Sequence, residues 1–366
     1  MSKTTLILVG GFLGAGKTTL LARAAKQLSQ QGKRVGLITN DQAPMLVDTE
    51  LLRDSGMGVR EIAGGCFCCR FSELIAASGK LLEEIKPDIL IAEPVGSCTD
   101  LSATVLQPLK DKYADMFHVA PFSVLVDPLR LREILEPRVR STLHASARYI
   151  LGKQLEEADA IVLNKIDLLT PQDLTELRQM VAERFSGTPL LLISALTGAG
   201  VDDWLKLALG DGKTGQRITD VDYDVYAEGE AVLGWLNATV ELQANGAVDW
   251  KTFGLNLLLD LQREFGKRSA EIAHLKLMMT AGNTRLSANL TSTGGTPIAR
   301  GSLDSGNRSV TLTLNARVQM SPRDLQALVE RTIHAEAGTD VLARITNLKS
   351  LSPGRPRPTH RYTTVL

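Results

Sequence analysis

The chain has 366 residues, 44% of them apolar and 22% charged, so it can fill ordinary folded cores and is not of disordered composition. Lys plus Arg and Asp plus Glu number 41 each, and the zero net charge argues against a general nucleic-acid binder. No apolar run approaches the ~18–20 residues of a membrane span, and the length suits two domains or one large domain with an appendage.

The first element is a strand: Thr4-Thr5-Leu6-Ile7-Leu8-Val9 is apolar and β-branched. It runs into Gly10–Thr19, GGFLGAGKTT, in which Gly11, Gly16, Lys17 and Thr18 fit the phosphate-loop pattern GxxxxGK[ST]. Leu20–Leu28 then has helical composition, so the context is strand, glycine loop, helix. Glycines let several backbone N–H groups converge on one centre, and the helix adds its own free N–H groups and the positive end of its dipole. Gly11, Gly14, Ala15, Gly16, Lys17, Thr18 and Thr19 are thus candidate phosphate-binding residues. Lys17 reaches the β- and γ-phosphates of a nucleoside triphosphate and the Thr18 hydroxyl ligates Mg²⁺. A strand starting so near Met1 leaves no room for a signal peptide, and a cytoplasmic location is expected. There, disulfides are disfavoured, and metal or redox chemistry is favoured for Cys66, Cys68, Cys69 and Cys98.

Arg34–Thr39 reads as a second buried strand, ending at Asn40-Asp41. The polar, broken stretch that follows, to about Gly58, is where a nucleotide-sensing switch or a plain surface loop would lie. Next come Gly64-Gly65-Cys66-Phe67-Cys68-Cys69-Arg70 and a helix beginning at Phe71. Three cysteines in four positions supply soft ligands for Zn²⁺, with Co²⁺ and Ni²⁺ close behind. Thiols before a helix N-terminus are expected to have depressed pKa values. Side chains alternate in an extended chain, so Cys66 with Cys68, or Cys66 with Cys69 across a turn, is the better pair. Cys98 reads as a helix-entry residue.

Asp88–Glu93 is another strand. The Glu93 carboxylate at its tip can hold the Mg²⁺ water shell or orient attacking water, and Gly96 lets backbone approach a γ-phosphate. One further strand is read over His118–Val126, then helices to about Glu157. Ala160–Leu163 leads into Asn164-Lys165-Ile166-Asp167, the NKxD pattern. Asp167 can accept from guanine N1–H and N2–H₂, the Lys165 stem packs along the base, and Asn164 ties loops together. Adenine lacks that donor pair, which costs on the order of 10⁴-fold at a site built for it. After the run Pro189–Ile193, Ser194-Ala195-Leu196 offers a backbone N–H to guanine O6. A helix over Val201–Leu209 closes the first domain, residues 1–210.

Residues 211–230 read as a linker. Residues 231–350 read as strands over Val232–Gln243, Ala273–Thr280, Thr284–Thr291, Ser309–Val318 and Val341–Asn347, with helices over Asp249–Phe265 and Ser321–Glu336. That order predicts a smaller α+β domain of ferredoxin-like type. The Pro/Arg-rich residues 351–366 read as a mobile tail.

The order phosphate loop, GCxCC, ExxG, NKxD, SAL resembles the CobW-type branch of the CobW/HypB/UreG metallochaperone GTPases, over roughly residues 4–210. The resemblance implies an α/β P-loop NTPase domain with a mostly parallel, doubly wound sheet. It implies GTP and Mg²⁺ at the sheet's top, Zn²⁺ or Co²⁺ held with the help of Cys66, Cys68 and Cys69, and slow GTP hydrolysis linked to metal delivery. Asn40-Asp41 stands where the family often has Asn-Glu-Phe-Gly, which makes Asp41 a candidate metal ligand. Asp48 matches a switch aspartate, and either it or Glu93 would orient water beside the catalytic Lys17. Gln42 and Ala43 depart from the family's Phe-Gly, and the His-rich stretch of many members is absent. The implied partner is a client metalloprotein or a cofactor-dependent enzyme, with no nucleic acid or membrane. A homodimer is open, and so is the alternative of a nucleotide-gated assembly factor for a cofactor enzyme, such as a corrinoid protein, without metal transfer.

Overall fold

The computed structural model describes residues 3–41, 58–136 and 142–366. Apolar runs in its first part form one sheet from β1 (Thr4–Gly11), β2 (Val35–Asp41), β3 (Gly58–Ala63), β4 (Ile89–Glu93), β5 (Phe117–Val119), β6 (Ser123–Val126), β7 (Ala160–Leu163) and β8 (Leu190–Leu192). The order is β3-β2-β4-β1-β6-β7-β8, with β5 also on β1, and every pairing is parallel. β4, β6 and β7 are buried at every position, as strands covered on both faces must be. Connections from β1 lead toward β2 on one side, and the later strands build outward on the other. Ligands bind at such a switch point, beyond the carboxyl ends of the strands.

The helices of this unit are α1 (Lys17–Gln30), α2 (Phe71–Glu84), α3 (Gln107–Lys112), α4 (Pro128–Leu135), α5 (Ala145–Glu156), α6 (Pro171–Arg184) and α7 (Val201–Ala208), and α8 (Tyr223–Ala231) follows them in the chain. A π-helical turn, Ser102–Leu106, runs into α3. Start signals are local. Asp127 caps α4 by accepting from Arg130 N–H, and Thr170 and Asp173 form a reciprocal capping box on α6. Leu20, Leu21, Ala24 and Leu28 of α1 pack with Ile7, Val9, Leu37 and Ile91 of the sheet, which fixes the helix at the tip of β1.

Three readings of this unit change. The single strand expected over His118–Val126 is two, because Pro121 supplies no N–H to a ladder. β5 pairs with the start of β1, and β6 with its end. The stretch read as a linker stays on this unit, since Asp159 accepts from the N–H groups of Gly215 and Gln216 at 2.6 and 2.9 Å. Of residues 351–366, read as a mobile tail, 355–366 also belong to this unit. They have no regular secondary structure, as Pro and Arg predict, but partners elsewhere in the unit take up their polar groups.

Residues 230–354 form the second unit. Its sheet contains β9 (Gly234–Ala244), β10 (Ile272–Ala281), β11 (Thr284–Leu290), β12 (Ile298–Gly301), β13 (Ser309–Val318) and β14 (Val341–Leu351) in the order β12-β11-β10-β13-β9-β14, all pairs antiparallel. Four strands, β10-β13-β9-β14, with α9 (Trp250–Gly266) and α10 (Pro322–Ala337), run strand–helix–strand, strand–helix–strand along the chain, consistent with the expected ferredoxin-like type. β11 and β12 extend one edge. Alternate residues Leu236, Ala238, Val240 and Leu242 of β9 meet Leu257, Leu261 and Phe265 of α9 and Leu325, Val329 and Ile333 of α10 in one apolar core. Among the described residues, no helix is long and apolar enough to cross a membrane.

Candidate functional site

The phosphate loop joins β1 to α1, and its shape depends on glycine at two points. Gly16 has φ 95°, and a Cβ there would lie 2.3 Å from Asn164 Nδ2. Gly11 has φ 130°, and its Cβ would meet the Leu125 carbonyl oxygen at 2.2 Å. Gly14 also has positive φ, and Ala15 N–H donates to the Phe12 carbonyl, tightening the turn. The Lys17 ammonium folds back to donate to Gly11 O at 2.8 Å and lies 3.8 Å from Glu93 Oε1. Thr18 Oγ1 donates to Glu93 Oε2 at 3.0 Å. Lys17, Thr18 and Glu93 are buried together at adjoining strand tips, whereas Thr19 turns part-way out of the core. Thr18 and Glu93 offer only oxygen atoms, the set a hard Mg²⁺ ion prefers, and the glycine turn opens directly into the N-terminus of α1, whose free N–H groups suit phosphate.

Gly96 packs on the same loop, where a Cβ would lie 3.1 Å from Leu13 N. Gln154 Nε2 donates to the carbonyls of Gly96 and Cys98 at 3.0 and 2.7 Å, holding the turn after β4.

At the far end of the loop, Asn164 joins three segments. Its Nδ2 donates to Ala15 O at 2.8 Å, and its Oδ1 accepts from Ala195 N–H at 2.9 Å. Lys165 has φ 62° and its ammonium is 3.5 Å from Asp127 Oδ2. Asp167 is exposed in the 3₁₀ turn Ile166–Leu168, Ser194 and Ala195 are buried, and Leu196 is exposed. The strand tips therefore bring the NKxD and SAL residues beside the phosphate loop.

The thiols lie on a turn between β3 and α2. Cys69 N–H and Arg70 N–H both donate to Cys66 O, at 3.0 and 2.9 Å, so the backbone coils. Side-chain alternation then does not apply, and all three sulfurs converge: Cys66–Cys68 2.8 Å, Cys66–Cys69 3.3 Å and Cys68–Cys69 3.8 Å. Cys66 and Cys68 are buried, and Cys69 is half-buried. Three sulfurs, not a pair, can face one ion.

The expectation of uniformly depressed thiol pKa values also fails. Hydrogen bonds from Cys68, then Cys69 and Cys98, hold the Cys66 thiol well below its usual range. Cys68 is raised well above it, first by its hydrogen bond to Cys66, and Cys69 is pushed up to about 11 by the same kind of bond. Cys66 is thus the thiol of the three that gives up its proton most readily, and an ion bound by the trio displaces protons. Buried Cys98 adds its hydrogen bond to Cys66 from outside the closest trio.

Asn40, at the end of β2, is the residue that sequence reasoning did not single out for this cluster. Its Nδ2 donates to Ile62 O at 3.0 Å and to Gly65 O at 2.7 Å. Asp41 follows it, its backbone beside Ala63 in the β2–β3 ladder. Asp48 and most of the expected switch lie outside the described residues.

The family model described as CobW/HypB/UreG, nucleotide-binding domain, matches residues 5–190. Among curated proteins, the zinc chaperone YeiR of Escherichia coli (strain K12) is 32% identical over 179 residues, 47% of this chain and 49% of that protein. The zinc chaperone CobW of Sinorhizobium sp is 29% identical over 209 residues, 52% of this chain and 58% of that protein. The chain therefore spans about half the length of the curated relatives it matches. Among solved structures, HypB from Helicobacter pylori in complex with nickel aligns with 55% of this chain and 83% of its own, at 19% identity and a TM-score of 0.41.

Proposed function

The chain belongs to the CobW/HypB/UreG nucleotide-binding domain family, and from that premise we propose that it is a GTP-hydrolysing metallochaperone that passes a thiophilic ion, Zn²⁺ or Co²⁺, to a client metalloprotein. The observation that carries the reading is the convergence of the Cys66, Cys68 and Cys69 sulfurs in a unit that also carries the phosphate loop and NKxD. Three thiols on a turn bind a soft ion while leaving its fourth position open to exchange, unlike a closed four-cysteine site. Zinc is the ion named for the curated relatives.

In this reading Asp167 selects guanine, with a backbone N–H of Ser194-Ala195-Leu196 meeting its O6. Lys17 and the loop N–H groups hold the β- and γ-phosphates. Mg²⁺ bound at Thr18 and Glu93 would offset phosphate charge. Glu93 then serves as the group that orients water, a role for which Asp48 is the other candidate. No arginine finger is evident in the sequence, so intrinsic turnover falls near ~10⁻⁴–10⁻³ s⁻¹. The ion and nucleotide sites are linked through β2, whose Asn40 side chain holds Gly65. A coupling of about 1–3 kcal/mol corresponds to roughly 5–150-fold in metal affinity.

The test is Zn²⁺ and Co²⁺ titration of the protein loaded with a non-hydrolysable GTP analogue or with GDP, alongside Cys66→Ala and Cys69→Ala. The reading expects tighter binding in one nucleotide state and loss of stoichiometric binding in both variants. Equal affinity in the two states removes the switch, and undiminished binding in the variants removes the thiol site. GTPase rates indifferent to metal, with no metal bound, would favour the assembly-factor alternative.

A further inference from the structure

We propose that residues 355–366 form a strap that completes the thiol site, with Arg357 N–H as the donor positioning the Cys69 sulfur and Arg361 as the anchor. The proposal rests on the metal-binding reading above. Arg357 N–H donates to Cys69 Sγ at 3.1 Å, and Thr359 N–H donates to Cys68 O at 2.9 Å. Thr359 Oγ1 lies 3.4 Å from Cys69 O, and the His360 ring stands edge-on to Phe71 with centroids 5.2 Å apart. Three residues of the segment, Arg357, Thr359 and His360, therefore address the turn that carries the sulfurs and the first residue of α2.

The chemistry of the run is selective. Pro356 and Pro358 have no N–H, so Arg357 supplies the one backbone donor of Pro-Arg-Pro, and Pro358 keeps Arg357 extended. That donor meets the least buried of the three sulfurs. An N–H aimed at a thiolate orients the sulfur and neutralises part of its charge, as outer-shell donors do for metal ligands.

The segment is also pinned. Arg361 Nε donates to Asp100 Oδ2 at 2.7 Å, and Asp100 is buried, receiving a second hydrogen bond from Tyr223 Oη. Tyr362 N–H donates to Ala103 O at 3.0 Å, and Leu366 N–H to Gln107 Oε1 at 2.9 Å. The strap holds Cys69 against the other two sulfurs, and an ion leaves when the strap lifts.

The experiment compares wild type, Arg357→Pro, Arg357→Ala and Arg361→Ala as full chains. Arg357→Pro deletes the N–H and keeps the extended backbone, while Arg357→Ala keeps the N–H and deletes the side chain. Two rates are read: Zn²⁺ transfer to a colorimetric chelator, and alkylation of Cys69 by N-ethylmaleimide in the metal-free protein, followed by peptide mass spectrometry. Arg357→Pro and Arg361→Ala should each raise both rates about three- to tenfold, the factor set by one hydrogen bond of ordinary net strength. Arg357→Ala should match wild type. Equal alkylation in wild type and Arg357→Pro, or acceleration by Arg357→Ala as large as by Arg357→Pro, overturns the strap. Should wild type bind no Zn²⁺, the metallochaperone reading fails, and the alkylation comparison still decides whether the strap covers Cys69. Arg357→Pro changes a surface residue, so it carries the test if loss of the Asp100 partner prevents Arg361→Ala from folding.

Discussion

The Asn40 side-chain amide donates to the Gly65 carbonyl at 2.7 Å, one residue before the first clustered cysteine. With its second bond to Ile62 O, it ties the end of β2 to the turn that shapes the thiol site. Asn40→Ala leaves the Ile62 carbonyl of β3 and the Gly65 carbonyl of the turn without this donor. Stability should fall by about 1–3 kcal/mol, read as a lower midpoint in urea, and Zn²⁺ affinity by about 10–100-fold. A variant that loses stability but binds Zn²⁺ as wild type does would show that this tie does not position the sulfurs.

Asp167 and Asn164 should fail in different ways. Asp167 is exposed and is the proposed reader of guanine, so Asp167→Ala should erase a preference for GTP over ATP on the order of 10⁴. Asn164 instead spans Ala15 and Ala195. Asn164→Ala should weaken both nucleotides together by loosening the phosphate loop. Competition binding with labelled GTP and ATP separates the two patterns, and equal loss of both nucleotides in Asp167→Ala would deny it the base-reading role.

Glu93 accepts from Thr18 and pairs with Lys17 at the loop. Glu93→Gln retains shape and loses charge. Single-turnover hydrolysis should drop by about 10²–10⁴-fold, the range for a positioned acid–base group, while binding of a GTP analogue changes far less. Hydrolysis at the wild-type rate would move the water-orienting role to Asp48.

Glu157 supplies a pH signature. It is fully buried, accepting from Thr99 Oγ1 at 3.1 Å and Ser102 N–H at 2.8 Å. Burial pushes its carboxyl up to about 8, against the pull of the Ser102 N–H. A folded pKa above the unfolded one means that the native state holds its proton more tightly. Its stabilising contribution is therefore whole below the unfolded value, near ~4.5, and is lost as pH rises toward 8. Unfolding free energy should fall across that window in wild type and more gently in Glu157→Gln, the two slopes differing by at most about 1.4 kcal/mol per pH unit. Parallel slopes in urea melts from pH 5 to 8 would contradict the assignment.

The phosphate loop, NKxD and helix caps such as Thr170 with Asp173 were legible in the sequence because each is decided within a few residues. A left-handed backbone at Gly16 needs glycine wherever the chain goes, and a capping box closes on itself. The strand pattern was legible for a similar reason, since burial on both faces leaves continuous apolar runs. The break at Pro121 was misread because an apolar run does not say which neighbour each half will pair with.

Tertiary structure decided the rest. Three cysteines in four positions announce thiol chemistry, but their convergence depends on a turn closed at the Cys66 carbonyl and held from β2 by Asn40. Residues 355–366 have no periodicity and little apolar content, so by composition alone they resemble solvated chain. What orders them is a buried carboxylate at Asp100 and a sulfur at Cys69, each more than 250 residues away in sequence. Short-range patterns record what the backbone can do by itself. Long-range polar partners enter only when the fold brings them within hydrogen-bonding distance.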